Sequence, residues 1–293
     1  MISGKAKVCG IIGCPVEHSL SPLMHNFFAR KMNMDLVYGP FRAEAGDVEA
    51  ALKGAYALNI AGMNVTIPHK QSVIPWLKEL DEGARFIGAV NTLVRTEGGY
   101  KGYNTDATGL LRAMREADLE IEGRDWLLFG AGGAAKAAAF VLGSRKAASV
   151  TILNRGEDRA KELAQVMNHK FQREFMTPLA LEDYRKLPDR QWQALQTTSV
   201  GMAPQADRAV IEDKGFYACI SQAMDAVYTP ARTRFMEFVE EAGGRAVNGL
   251  DMLIYQGVDA FELWNPDRKV PGDVIREARE LMRNTLEERS GKR

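Results

Sequence analysis

Lysine and aspartate facing one hydroxyl make a proton-transfer pair suited to interconverting an alcohol and a ketone. Lys70 and Asp106 are the candidates for such a pair, and each stands in a polar setting. Lys70 follows Asn64-Val65-Thr66, whose alternation places Asn64 and Thr66 on the same face of a strand. Asp106 follows Asn104-Thr105, and Asn91-Thr92 precedes both. Further upstream, His18-Ser19-Leu20-Ser21-Pro22 carries two hydroxyls two residues apart, after a strand that ends in glycine. Polar groups on a strand in apolar surroundings need partners, and a polyhydroxylated ligand would supply them. One at a time, these residues are ordinary turn and cap residues: Ser21 before Pro22, and Asp106, are each candidate helix N-caps. Spacing alone does not bring Lys70 to Asp106.

A second centre of chemistry is Gly130-Ala131-Gly132-Gly133-Ala134-Ala135, which fits G-x-G-x-x-[G/A] between an apolar strand and an alanine-rich helix. Glycines permit the tight turn and close approach of a pyrophosphate, and the helix N-terminus offers N–H groups and positive potential. About 20 residues on, NAD-binding folds place a carboxylate on the ribose hydroxyls. Here the next strand ends in Asn154-Arg155-Gly156, with Arg159 following. Guanidinium forks suit a 2′-phosphate, so the expected cofactor is NADP(H). The competing reading is a solvated helix start, since Arg159 lies among Glu157, Asp158 and Lys161.

The elements that must position these groups follow from pattern. Strands are predicted at Val8–Gly13, Leu36–Phe41 and Gly62–Ile67, with a hairpin over Gly88–Tyr103 turned at Glu97-Gly98-Gly99. Helices are predicted from Ser21, with Leu23, Phe27 and Phe28 near one face, and from Asp47 to Tyr56. After a helix over Asp106–Ala117 the alternation begins again. It gives strands at Trp126–Phe129, Val150–Leu153, Ala194–Thr198, Ala223–Val227 and Arg245–Val247, and helices that include Glu157–Met167 and Thr233–Ala242. Such alternation implies α/β architecture, a parallel sheet covered on both faces. From Leu250 on the pattern is helical and ends in a charged, frayed tail, EERSGKR.

With 293 residues the chain has room for about two domains. Lys+Arg and Asp+Glu both number 38, which leaves no electrostatic footprint for nucleic acid or an anionic membrane. No apolar run is long enough to span a bilayer, and the N-terminal one is too short and too broken by Gly and Pro for a signal peptide. Three cysteines form no CxxC pair, and four histidines show no paired ligand spacing, so neither a disulfide framework nor a metal site is expected. A cytoplasmic location is expected.

Taken in order, Gly13-Cys14-Pro15 with HSLSPLMHN, NVTIPHK, GAVNT, GYNTDATG, GAGGAAKA, NR, TTSVGM and NGLDMLIYQGVDAFELW resemble the shikimate dehydrogenase family along nearly the whole chain. The resemblance implies an N-terminal α/β substrate domain (residues 1–105) completed by C-terminal helices (250–293), and a Rossmann-like NADP domain (106–249). It implies reversible reduction of 3-dehydroshikimate to shikimate by NADPH across an interdomain cleft, in aromatic amino-acid biosynthesis, by a monomer or homodimer. Lys70 then matches the catalytic lysine, with Asp106 its partner. Ser19 and Ser21 match hydroxyls that hold the substrate carboxylate, and Tyr228 a tyrosine near it. Asn64, Thr66, Asn91, Asp106 and Gln256 match positions that bind the ring hydroxyls. Gly130, Ala131, Gly132, Gly133 and Ala134 match the pyrophosphate loop, and Asn154, Arg155 and Arg159 the adenosine-phosphate clamp. Thr198, Val227, Gly249 and Met252 are implied neighbours of the nicotinamide or of the dinucleotide's route to it. Gly156, where Thr or Ser is common, and Gln196, where Asn is usual, depart from the pattern. The alternatives are a quinate or quinate/shikimate dehydrogenase, against which Ser21 and Asn154-Arg155 argue, and a non-catalytic dinucleotide-binding regulator, against which Lys70 and Asp106 argue.

Overall fold

Alternating β- and α-type segments fold into two α/β units, and the computed structural model describes residues 2–290. The first unit comprises Met1–Gly109 and Leu253–Met282, the second Leu110–Met252 and Arg283–Arg293. The stretch beyond Met282 thus groups with the second unit, whereas the sequence assigns the whole C-terminal region to the first.

In the first unit the chain runs β1 (Lys7–Gly13), α1 (Ser21–Lys31), β2 (Leu36–Arg42), α2 (Val48–Ala57), β3 (Gly62–Val65), β4 (Glu79–Leu80), α3 (Glu82–Ile87), β5 (Thr92–Thr96), β6 (Gly99–Tyr103) and the start of α4 (Thr105–Glu116). Strand order is β2-β1-β3-β5-β6-β4. The sheet is mixed, because β5 runs antiparallel both to β3 and, through a tight hairpin, to β6. Asn64 of β3 is thereby opposite Thr92 of β5 and Ile11 of β1.

Several local expectations need correction. Ser21 is the first residue of α1 and not its cap; Leu20 holds the cap position, and the Ser19 hydroxyl oxygen accepts the Ser21 N–H at 3.2 Å. The buried stripe of α1 is Met24, Phe27 and Phe28, the i, i+3, i+4 set, which leaves Leu23 exposed one position away. Asp47 stands at the start of α2 without a side-chain cap bond. Asp106 lies inside the first turn of α4, and Asn104 takes the capping role, its Oδ1 accepting the Ala107 N–H at 3.2 Å. The strand expected to run to Ile67 ends at Val65. β4 and α3 were not legible beforehand: β4 is two residues long and α3 six.

The second unit contains β7 (Asp125–Phe129), α5 (Gly133–Ser144), β8 (Ser149–Asn154), α6 (Glu157–Phe171), β9 (Met176–Ala180), β10 (Trp192–Gln196), β11 (Ile220–Asp225), α7 (Arg234–Glu241) and β12 (Arg245–Val247). All its strand pairs are parallel, in the order β9-β8-β7-β10-β11-β12. This is the 3-2-1-4-5-6 order of the dinucleotide-binding fold, with its switch point between β7 and β10. Trp192, Phe129, Tyr217 and Phe235 anchor the core beneath that sheet. β10 and β11 stop at Gln196 and Asp225, two residues short of the predicted ends, so Thr198 and Val227 lie in loops.

The C-terminal helices are α8 (Leu250–Trp264) and α9 (Gly272–Ser290). Within the first unit Trp264 packs so closely that a Cβ on Gly62 would lie 2.1 Å from its ring, and its Nε1–H donates to the Leu93 carbonyl at 2.9 Å. The expected tail begins inside α9, and residues 291–293 lie outside those described.

Candidate active site

Lys70 lies five residues beyond β3, and Asp106 on the first turn of α4. In the first unit they meet: the Lys70 ammonium donates to Asp106 Oδ2 at 2.5 Å. The other carboxylate oxygen, Oδ1, accepts from Asn91 Nδ2 at 2.8 Å. Asp106 is therefore held on both oxygens, while the lysine side chain keeps 20% of its surface open against 9% for the aspartate. One N–H of the ammonium is committed to Asp106; the others remain for a ligand oxygen.

Asn91 is the hub. Its Oδ1 accepts the Thr105 N–H at 2.7 Å and both the Thr92 and Thr105 hydroxyls at 3.1 Å. Its Nδ2 also reaches Gln256 Oε1, at 3.4 Å. Gln256 comes this near because α8 crosses α4 at Gly109, where a Cβ would lie 2.6 Å from the Gln256 backbone nitrogen. Asn64 joins from β3, its Nδ2 donating to the Asn91 carbonyl and to Thr92 Oγ1, each at 3.2 Å. The Tyr38 hydroxyl of β2 donates to Asn64 Oδ1 at 2.7 Å.

Lys70, Asp106, Asn91, Asn64 and Gln256 thus form one hydrogen-bonded network, buried except at Lys70. Ser19 and Ser21 meet each other at the entry of α1. Thr66 stands just past β3, its N–H held by the Ile12 carbonyl at 2.9 Å. Tyr38, Thr92 and Thr105 are supports that sequence reasoning did not assign. No local pattern marks Tyr38, since it reaches Asn64 across β1.

In the second unit Gly130 follows β7 with φ +107°, and a Cβ there would lie 2.9 Å from Thr197 Oγ1 and 3.0 Å from Thr198 Cγ2. Only glycine lets the two loops of the switch point approach this closely. Gly132 precedes α5, whose first residues are Gly133 and Ala134. Asn154 ends β8, its Nδ2 donating to the Gly156 carbonyl at 2.8 Å. Arg155 and Arg159 are exposed and have no ion-pair partner among the described residues, and the neighbouring Glu157 pairs with Lys161 at 2.9 Å. Arg155 also lines a cavity of about 550 Å³ with Leu181, Tyr184, Val210 and Ile211. At the far edge the Gly249 N–H donates to the Val227 carbonyl at 3.1 Å, and a Cβ on Gly249 would meet the Ala226 carbonyl at 2.2 Å. Tyr228 is half-buried three residues beyond β11, and Met252 is half-buried on α8.

Residues 11–93 match the family described as shikimate dehydrogenase substrate binding domain, and residues 112–186 that described as shikimate/quinate 5-dehydrogenase. Residues 249–278 match the shikimate 5′-dehydrogenase C-terminal domain. The shikimate dehydrogenase (NADP(+)) of Desulforamulus reducens is 40% identical over 279 residues, 94% of this chain and 95% of its own length. A crystal structure of shikimate dehydrogenase in complex with NADP+ gives a TM-score of 0.86 at 34% identity, covering 95% of this chain and 96% of the other. That of the Listeria monocytogenes enzyme in complex with shikimate and NAD gives 0.86 at 33%, covering 94% and 97%. Fold, ordered motifs and near-full-length similarity agree, and the chain belongs to the shikimate dehydrogenase family.

Proposed function

We infer that the protein is an NADP-dependent oxidoreductase that interconverts 3-dehydroshikimate and shikimate, and that the Lys70–Asp106 pair carries the proton. The 2.5 Å contact between a partly open lysine and a doubly held aspartate is the observation that carries the proton-transfer assignment. Lys70 Nζ delivers a proton to the C3 oxygen during reduction and takes it back during oxidation. Asp106 orients Lys70 and accepts from a ring hydroxyl. Asn64, Asn91, Gln256 and Thr66 offer amide and hydroxyl groups to the remaining ring oxygens, and Ser19, Ser21 and Tyr228 to the carboxylate.

NADPH, when bound, supplies the hydride. The glycine cradle and the two unpaired arginines fit its pyrophosphate and 2′-phosphate: Gly130 to Ala134 would hold the former, Asn154, Arg155 and Arg159 the latter. Thr198, Val227, Gly249 and Met252 would flank the nicotinamide end. On this reading residues 1–105 with the C-terminal helices form the substrate domain and residues 106–249 the cofactor domain. The enzyme works in the cytoplasm as a monomer or homodimer, as suits a soluble biosynthetic substrate; no helix among the described residues is long and apolar enough to cross a membrane.

Steady-state rates for shikimate and quinate, each with NADP and NAD, test the reading. Quinate adds a hydroxyl at the carboxylate-bearing carbon, so a site packed for shikimate should give a kcat/KM for quinate at least about 100-fold lower. NADP should be preferred over NAD. Comparable efficiencies for the two acids would make the enzyme a quinate/shikimate dehydrogenase.

A further inference from the structure

Asp225 ends β11 completely buried, and no cation among the described residues pairs with it. Its Oδ1 accepts from the Val227 N–H at 2.9 Å and from Gln196 Nε2 at 3.2 Å; its Oδ2 accepts from the Thr233 hydroxyl at 2.6 Å. Gln196, equally buried, ends β10 directly opposite Asp225 in the parallel register. Its Oε1 accepts the Thr198 N–H at 2.5 Å, and its Nε2 also donates to the Val200 carbonyl at 3.0 Å. Thr233 caps α7 from the position before it, its Oγ1 accepting the Met236 N–H at 3.3 Å. One carboxylate therefore gathers three segments: the loop after β10, the loop after β11 and the entry of α7.

Burying a carboxylate without a cation is unfavourable for stability alone, and an apolar residue would fill the same space more cheaply. The burial also pushes the Asp225 carboxyl up to about 7. What the arrangement provides is geometry. Gln196 reaches across to Asp225 while still holding its own loop, a span for which its side chain has one more methylene than the asparagine usual in the pattern.

We propose that Asp225 is a positioning residue for the nicotinamide end of the dinucleotide, holding with Gln196 and Thr233 the segments 197–200 and 226–228 in the shape that receives it. The proposal rests on the reading that Thr198 and Val227 adjoin the bound cofactor. It also accounts for Gly130, whose missing side chain lets Thr197 and Thr198 settle against the glycine turn.

Thr233→Val removes one donor at nearly constant shape, and Thr233→Ser restores it. Asp225→Asn removes the charge. For Thr233→Val, KM for NADP should rise about 3- to 10-fold, the scale of one hydrogen bond, while kcat changes less and KM for shikimate stays put. Amide exchange measured by mass spectrometry should quicken in 197–200 and 226–228, leaving Lys7–Gly13 and Thr92–Tyr103 unchanged. Thr233→Ser should recover wild-type values, and Asp225→Asn, where it folds, should exceed Thr233→Val. Lowered melting temperature with unaltered NADP KM and loop exchange in Thr233→Val would overturn the proposal. In the wild type, saturating NADP should slow exchange in both segments. If it does not, the reading that they adjoin the cofactor fails first, and the proposal with it.

Discussion

At the scale of the residue, the chemistry depends on one nitrogen. Lys70 Nζ is anchored to a carboxylate whose second oxygen is tied to Asn91, so its position survives without substrate. Replacing Lys70 with Met keeps most of the side-chain bulk and removes the proton carrier. We expect kcat to fall about 100-fold or more, with shikimate affinity little changed because the amide and hydroxyl groups persist. Near-normal turnover by Lys70→Met would end the assignment. Arg155 offers a similar test for the cofactor. It is exposed, so its charge-assisted bond to a 2′-phosphate belongs at the low end, and Arg155→Ala should raise KM for NADP about 10-fold. KM for NAD should hardly move, since NAD lacks that phosphate; equal losses for both cofactors would give Arg155 a structural role.

At the scale of the element, close approach of backbones sets the site. Alanine in a helix interior ordinarily stabilises by up to about 1 kcal/mol relative to glycine. Gly109 should reverse that sign, because the new Cβ would lie 2.6 Å from the Gln256 backbone nitrogen, and backbone cannot move aside as a flexible side chain can. Gly109→Ala should destabilise by about 1–3 kcal/mol, the usual range for overpacking. It should also raise KM for shikimate, since α8 carries Gln256 away from Asn91. Urea unfolding and steady-state kinetics on one preparation would check both effects. A more stable variant with unchanged KM would show that the crossing has slack.

At the scale of the whole molecule, two buried titratable groups tilt stability in opposite directions with pH. His25, in the first unit, is stacked on Tyr38 and ringed by Phe28, Phe261 and Trp264, and its burial pushes its pKa from 6.5 down to about 3. Below pH 6.5 the unfolded chain takes a proton that the folded one refuses, so stability falls as pH drops towards 3. Asp225, in the second unit, is raised from 3.8 to about 7, so its contribution is present below 3.8 and lost as pH rises through 7. His25→Phe should therefore lessen acid sensitivity by about 1.4 kcal/mol for each pH unit below 6.5. Asp225→Asn should gain on the wild type by on the order of 2 kcal/mol between pH 5 and pH 8. Unfolding followed at several pH values would check both; parallel pH curves for wild type and variants would refute them.

The features the sequence determined by itself are those whose physics is local. Gly130-Ala131-Gly132-Gly133 lies between a strand and a helix because its neighbours' patterning says so, and Asn154-Arg155 follows the next strand for the same reason. The break before Pro22 is likewise written in adjacent residues. Caps were harder: serine and aspartate compete for the first turn, and a shift of one residue put Ser21, and of two residues Asp106, inside their helices. What only the tertiary structure decided are the meetings between distant segments. Lys70 finds Asp106, Tyr38 finds Asn64 across β1, Gln256 finds Asn91 at a glycine crossing, and Asp225 finds Gln196 across a parallel register. Sheet order and helix crossings arise from burying all the apolar faces at once, and no window of sequence contains that sum.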